Sequence, residues 1–241
     1  RANKEWKVEV PKKYQSWLKA EALSETELKV TTTTTNNLMV NRVGHIIMKT
    51  KEVIDGFDGI TFDISQGTAF WKEGGADNYV VDEETGYMTL YGSGIVTNYL
   101  FKKGRLAFDF ESINLTGEDW IEFNMWPNSG NTNFHLHFYA NKESNFTCGG
   151  SGLNWTQKTF TWTSEQTNVV KKIEFLVVNK EEGSNALVLK LIIDGVEVAV
   201  LDNNITDPYA TEPGAPVYFR MHTTNKASNF TVKSITWEPV E

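Results

Sequence analysis

Short runs rich in Val, Ile, Thr and aromatic residues, broken at close intervals by Gly, Asn, Asp and Lys clusters, occupy almost the whole of this 241-residue chain. Such runs are too short and too β-branched for helices, and many alternate apolar with polar side chains, as half-buried strands do. Candidate strands fall at about 27–33, 44–50, 59–64, 78–82, 87–91, 95–101, 105–111, 119–126, 133–140, 157–163, 169–178, 186–194, 196–201, 216–222 and 229–237. Strands following one another without intervening helices predict an all-β antiparallel sandwich or barrel. Asp194-Gly195 between two apolar runs predicts a tight hairpin, and Asn128-Ser129-Gly130-Asn131 predicts a turn between two others. The Gly-rich stretch from Thr147 to Gly152 reads as a loop carrying Cys148. One segment has helical spacing: Tyr14, Trp17, Leu18 and Ala22 lie at i, i+3, i+4 and i+8 after Pro11, which predicts one short N-terminal helix. No fixed-period repeat or linker-like tract divides the sequence, so a single domain over 1–241 is expected.

Splitting the strands by alternation separates two kinds of face. In 119–126, Ile121, Phe123 and Met125 form an apolar set, while Trp120, Glu122, Asn124 and Trp126 form the other. In 133–140, Phe134, Leu136, Phe138 and Ala140 oppose Asn133, His135, His137 and Tyr139. A hairpin through 127–132 would place Trp126 opposite Asn133, Asn124 opposite His135, Glu122 opposite His137 and Trp120 opposite Tyr139. A one-residue slip would drive these polar groups into the core, so the pattern itself resists alternatives. The strand 217–222 splits the same way, with Tyr218, Arg220 and His222 away from Val217, Phe219 and Met221. Aromatic plates among Glu, Asn, His and Arg suit a sugar: ring faces stack on its C–H surface and planar polar groups pair with its hydroxyls. Water-facing sheet surfaces are instead dominated by Lys, Glu, Thr and Ser. Trp120 and Trp126, about 20 Å apart at ~3.3 Å per residue, would serve separate subsites of an extended groove.

Charge and cysteine content narrow the partners. A net charge of -8, with no basic run, opposes nucleic acid and anionic membrane surfaces. A single cysteine excludes an internal disulfide and a thiolate metal cluster. No apolar run approaches the ~20 residues of a membrane helix. The start at Arg1 without Met is consistent with a removed leader or an excised module, so a secreted or cell-surface, multimodular protein is expected.

Two stretches resemble the concanavalin A-like lectin/glucanase superfamily. Lys172-Ile173-Glu174-Phe175, with Leu189 to Val198 containing Ile193-Asp194-Gly195, is similar to the late strands of that jelly roll. Gly117-Glu118-Asp119-Trp120-Ile121-Glu122-Phe123 is similar to the E-x-D-x-E strand of family 16 glycoside hydrolases. The resemblance, over about 85–240, implies a two-sheet jelly roll with a ligand groove on its concave sheet. It would make Glu118 a nucleophile and Glu122 an acid/base. Trp120 takes the place of the central Asp, however, and an indole can neither share a proton nor hold charge. A non-catalytic carbohydrate-binding module is therefore the expected function, with hydrolysis through Glu118 and Glu122 as the alternative. A second alternative is a cupin-like metal site, with His135 and His137 as ligands and Glu122 and His222 able to complete a shell. No cofactor is required by the main reading. A structural calcium is compatible with the superfamily, and Asp77, Asp82, Glu83 and Asp202 fall in loops that could serve it.

Overall fold

The computed structural model describes residues 5–34, 36–38, 41–52, 54, 58–68, 70–72, 79–92, 94–100, 103–117, 119–127, 133–140, 142–150, 153–184, 186–206, 216–223 and 227–240. At 70–72, 95–100, 124–127, 133–134, 148–150, 153–156, 164, 203–206 and 216–222 the description is of the backbone alone. The chain divides into two compact units, Arg1–Asn36 with Val40–Thr68, and Asn37–Met39 with Ala69–Glu241.

The first unit holds β1 (Trp6–Glu9), β2 (Leu18–Ala22), β3 (Leu28–Thr32), β4 (Arg42–Thr50) and β5 (Ile60–Gln66). Strand β4 lies between β1 and β5, and β2 pairs with β3. Trp17, Leu18 and Ile46 make its small core. Gly44 is needed there, because a Cβ would meet Trp17 Cζ2 at 2.7 Å. The Arg42 guanidinium covers the same indole at 4.5 Å, a cation–π contact. The N-terminal helix is a single 3-10 turn, Lys12–Tyr14, led in by Pro11. The helically spaced residues beyond it extend as β2, laddered from Leu18 opposite Thr32 to Ala22 opposite Leu28. Glu21 leaves the apolar stripe too narrow for a helix, and the Thr-rich partner strand favours extended pairing.

The second unit carries β6 (Phe70–Lys72), β7 (Tyr79–Val81), β8 (Met88–Leu90), β9 (Gly94–Leu100), β10 (Gly104–Asn114), β11 (Trp120–Pro127), β12 (Asn133–Tyr139) and β13 (Glu143–Gly150). It continues with β14 (Leu153–Thr161), α1 (Ser164–Asn168), β15 (Lys172–Asn179), β16 (Ala186–Ile193), β17 (Val196–Thr206), β18 (Pro216–Thr223) and β19 (Asn229–Pro239). Two seven-stranded sheets result, in the orders β14-β13-β12-β11-β18-β9-β6 and β17-β16-β15-β10-β19-β8-β7. Pairing within both is antiparallel.

Alternation along the strands sends one apolar set from each sheet into a shared core. Ile121, Phe123, Leu136, Phe138 and Phe146 from the first sheet meet Leu106, Phe108, Ile173, Phe175 and Leu191 from the second. Phe123 bridges the layers, with ring centroids 5.1 Å from Phe108 and 5.4 Å from Phe175. Each buried ring contributes roughly 1.5–3 kcal/mol. The architecture is the all-β, two-sheet jelly-roll sandwich that the sequence resemblance implied.

The Asp194-Gly195 hairpin is present, with positive φ at both residues (48° and 81°), as a type I′ turn requires. The Asp194 carboxylate accepts the backbone N–H groups of Lys171 (3.0 Å) and Lys172 (2.7 Å), tying the turn to β15. Residues 128–131, expected as a turn, lie outside the described residues. The Gly-rich stretch around Cys148 is a strand for much of its length, not a loop: β13 runs to Gly150 and is bonded to β12 and β14. Glycine weakens a strand's own preference, but two flanking ladders and the buried Phe146 ring hold this one. No described helix is long and apolar enough to cross a membrane.

Candidate functional site

Strands β11 and β12 pair in the register expected of a symmetric hairpin. Trp120 stands opposite Tyr139, Glu122 opposite His137 and Asn124 opposite His135. On the other flank, β18 sets His222 opposite Glu122, Arg220 opposite Asn124 and Tyr218 opposite Trp126. Asn133 is the partner of Gly149 on β13. These positions share one phase of the sheet, while Ile121, Phe123, Leu136 and Phe138 of the other phase are buried. The side chains of Asn124, Trp126, Asn133, Tyr218, Arg220 and His222 lie outside the described residues, as does Glu118 altogether.

At one end of the face the Trp120 and Tyr139 rings meet, with centroids 5.5 Å apart and planes inclined by 39°. Each is held by its backbone. The Tyr139 N–H donates to Ser144 Oγ at 3.0 Å, and its carbonyl accepts the Thr167 hydroxyl at 3.3 Å. Thr167 belongs to α1, whose start is fixed by a reciprocal capping box between Thr163 and Gln166. Trp120 follows Asp119, a buried carboxylate that accepts the hydroxyls of Ser228 and Thr116. Sequence patterning had pointed to none of these anchors. The Thr163-x-x-Gln166 spacing is the one local signal for any of them. Trp120 is half-buried, not a freely projecting plate, and its indole N–H is buried without an acceptor among the described residues. A donor left so costs roughly 1–3 kcal/mol.

Beside this pair lie Glu122, His135 and His137. Glu122 Oε1 is 3.8 Å from His137 Nε2, with the carboxylate side chain 18% and the imidazole 34% exposed. The His135 and His137 rings are 6.2 Å apart, centroid to centroid. Burial lowers the His135 pKa from its usual value; His137 adds to that shift and the Glu122 charge opposes it. One ligand atom from each of the three side chains falls within 4.8 Å of the others, and among the described residues this is the one such group of metal-ligating type.

The residues considered for calcium are not gathered in this way. Asp82 caps its own turn, accepting the N–H groups of Glu84 and Thr85. Asp202 pairs with Lys180 at 2.9 Å, Glu83 is exposed, and Asp77 lies outside the described residues. Of the other tryptophans, Trp17 is core in the first unit, Trp162 and Trp237 pack against the sandwich core, and Trp6 donates to the Glu25 carbonyl. Trp71 and Trp155 have side chains outside the described residues.

No protein-family model and no curated protein matches the chain. Among solved structures it is similar to a β-1,3-1,4-glucanase (lichenase) derived from a mouse hindgut metagenome, at 10% identity and a TM-score of 0.47, covering 71% of this chain and 93% of that one. It is similar to the legume lectin-like domain from Entamoeba histolytica, at 10% identity and a TM-score of 0.49 over 72% and 91% of the two chains. Peanut lectin aligns at 12% identity and a TM-score of 0.42 over 83% and 99%. What the sheet face of the present chain can bind is set by its own side chains.

Proposed function

We propose that this face binds a polysaccharide without cleaving it. The observation that carries the proposal is the Trp120–Tyr139 ring pair standing directly beside Glu122, His135 and His137 on one sheet surface. Aromatic surface next to convergent planar hydrogen-bonding groups meets both demands of a pyranose: a partner for its C–H face and partners for its hydroxyls. Asn124, Trp126, Asn133, Tyr218, Arg220 and His222 hold the same phase in the ladders and, on this proposal, form the further lining of a groove. Binding without hydrolysis follows from Trp120. In the carboxylate strand that the sequence resembles, it occupies the position of the residue that tunes the acid/base pair.

Affinity gel electrophoresis against mannan, xylan, glucan and galactan tests the proposal. Retardation by at least one of these, with no reducing ends released on prolonged incubation, is the expected result. No retardation by any member of the panel rejects it. Sugar release abolished by both Glu118→Gln and Glu122→Gln would replace binding with hydrolysis. The same proposal places the chain in a secreted or cell-surface, multimodular protein acting on polysaccharide, which immunodetection in the culture medium or on intact cells of the source would check.

A further inference from the structure

We propose that Glu122, His135 and His137 form a binding site for a divalent transition-metal ion of the zinc class. The three side chains come from two neighbouring strands, and the ladder sets their spacing. His135 and His137 are two apart on β12, and Glu122 is the cross-strand partner of His137 on β11. One donor atom from each lies within 4.8 Å of the other two. A tetrahedral ion with bonds of ~2.0–2.1 Å places its ligand atoms roughly 3.3 Å apart, so small rotamer adjustments bring this set to coordination distance. The Glu122–His137 separation of 3.8 Å is already near that value.

The donor chemistry selects the class of metal. Two imidazoles and one carboxylate suit zinc, copper, nickel or ferrous iron, whereas calcium and magnesium take oxygen shells. Two His and one Glu leave a coordination position open in a tetrahedral site, as at zinc centres that bind a further water or hydroxyl. Packing around the trio supports preformed geometry: Trp120 lies 6.3 Å from the His137 ring and Tyr139 packs edge-on against it, also at 6.3 Å. On the far flank of β11, His222 is the register partner of Glu122.

The inference does not rest on the glycan proposal, because metal uptake is measured with no glycan present. Protein stripped with a chelator and free of any histidine tag is titrated calorimetrically with Zn²⁺. One ion per chain is expected, with affinity reduced at least tenfold in Glu122→Gln, His135→Gln and His137→Gln. Far-UV circular dichroism establishes that each variant is folded. A second measurement needs no variant: Zn²⁺ should shift the imidazole NMR signals of His135 and His137 and leave His45, paired with Asp63 in the first unit, in place. Absence of stoichiometric uptake overturns the inference. Uptake that survives all three substitutions, or that shifts His45 without His135 and His137, overturns it equally.

Discussion

Trp120 and Tyr139 meet across the β11–β12 ladder with ring centroids 5.5 Å apart, and each follows from a different buried anchor: Asp119 with Ser228, and Thr167 with Ser144. The pair is therefore held in place before any ligand arrives, which lowers the ordering cost of binding. Loss of the indole in Trp120→Ala should remove on the order of 1–3 kcal/mol of glycan affinity, about 5- to 150-fold. Calorimetric titration with the retarding polysaccharide measures it. Undiminished affinity would take Trp120 out of the site.

Phe123 occupies the next position but two on the same strand and points the other way, 2% exposed between Phe108 and Phe175. Phe123→Ala should destabilise the fold by ~3–5 kcal/mol. The half-buried Trp120 should cost less when truncated. Thermal melts of the two variants side by side decide the matter: an equal fall in melting temperature would mean that the face assignment is inverted.

At the β16–β17 turn, Gly195 has φ of 81° and a Cβ there would meet nothing within 4 Å. The cost of Gly195→Ala is then purely that of the left-handed backbone, ~1–2 kcal/mol. Asp194→Ala should cost a similar ~1–2 kcal/mol through loss of the bonds to the Lys171 and Lys172 amides. Urea denaturation at unchanged slope would measure both.

The Asp82 carboxyl is held below the usual aspartate range, first by the Thr85 backbone N–H and side chain, then by the Glu84 N–H. A lowered folded-state value means that the carboxylate stabilises its turn above the unfolded-state pKa of ~3.9 and loses that contribution as pH falls through the folded value. Carbon-detected NMR titration should find Asp82 titrating below that figure, with the Glu84 and Thr85 amide signals moving in step. A midpoint at or above it would contradict the capping geometry.

Much of this was legible in the sequence. Period-two alternation in 119–126 and 133–140 determined the phase of the β11–β12 pairing, because a one-residue slip would have buried Glu122, His135 and His137. Asp194-Gly195 determined its own turn, because few residue pairs tolerate two consecutive positive φ angles. Local pattern could not identify β13, where Asn145, Cys148 and two glycines carry little strand preference; the ladders on either side make it a strand. Nor could it separate helix from strand over 18–22, since a few apolar residues fit both periods and pairing with β3 decided between them. The approach of β18 to β11, some ninety residues away in sequence, is a matter of sheet order, which no local preference encodes. The clustering of Glu122, His135 and His137 has the same origin. Alternation put three polar side chains on one face, but only the lateral spacing of paired strands, ~4.8 Å, brought their donor atoms within reach of a single ion.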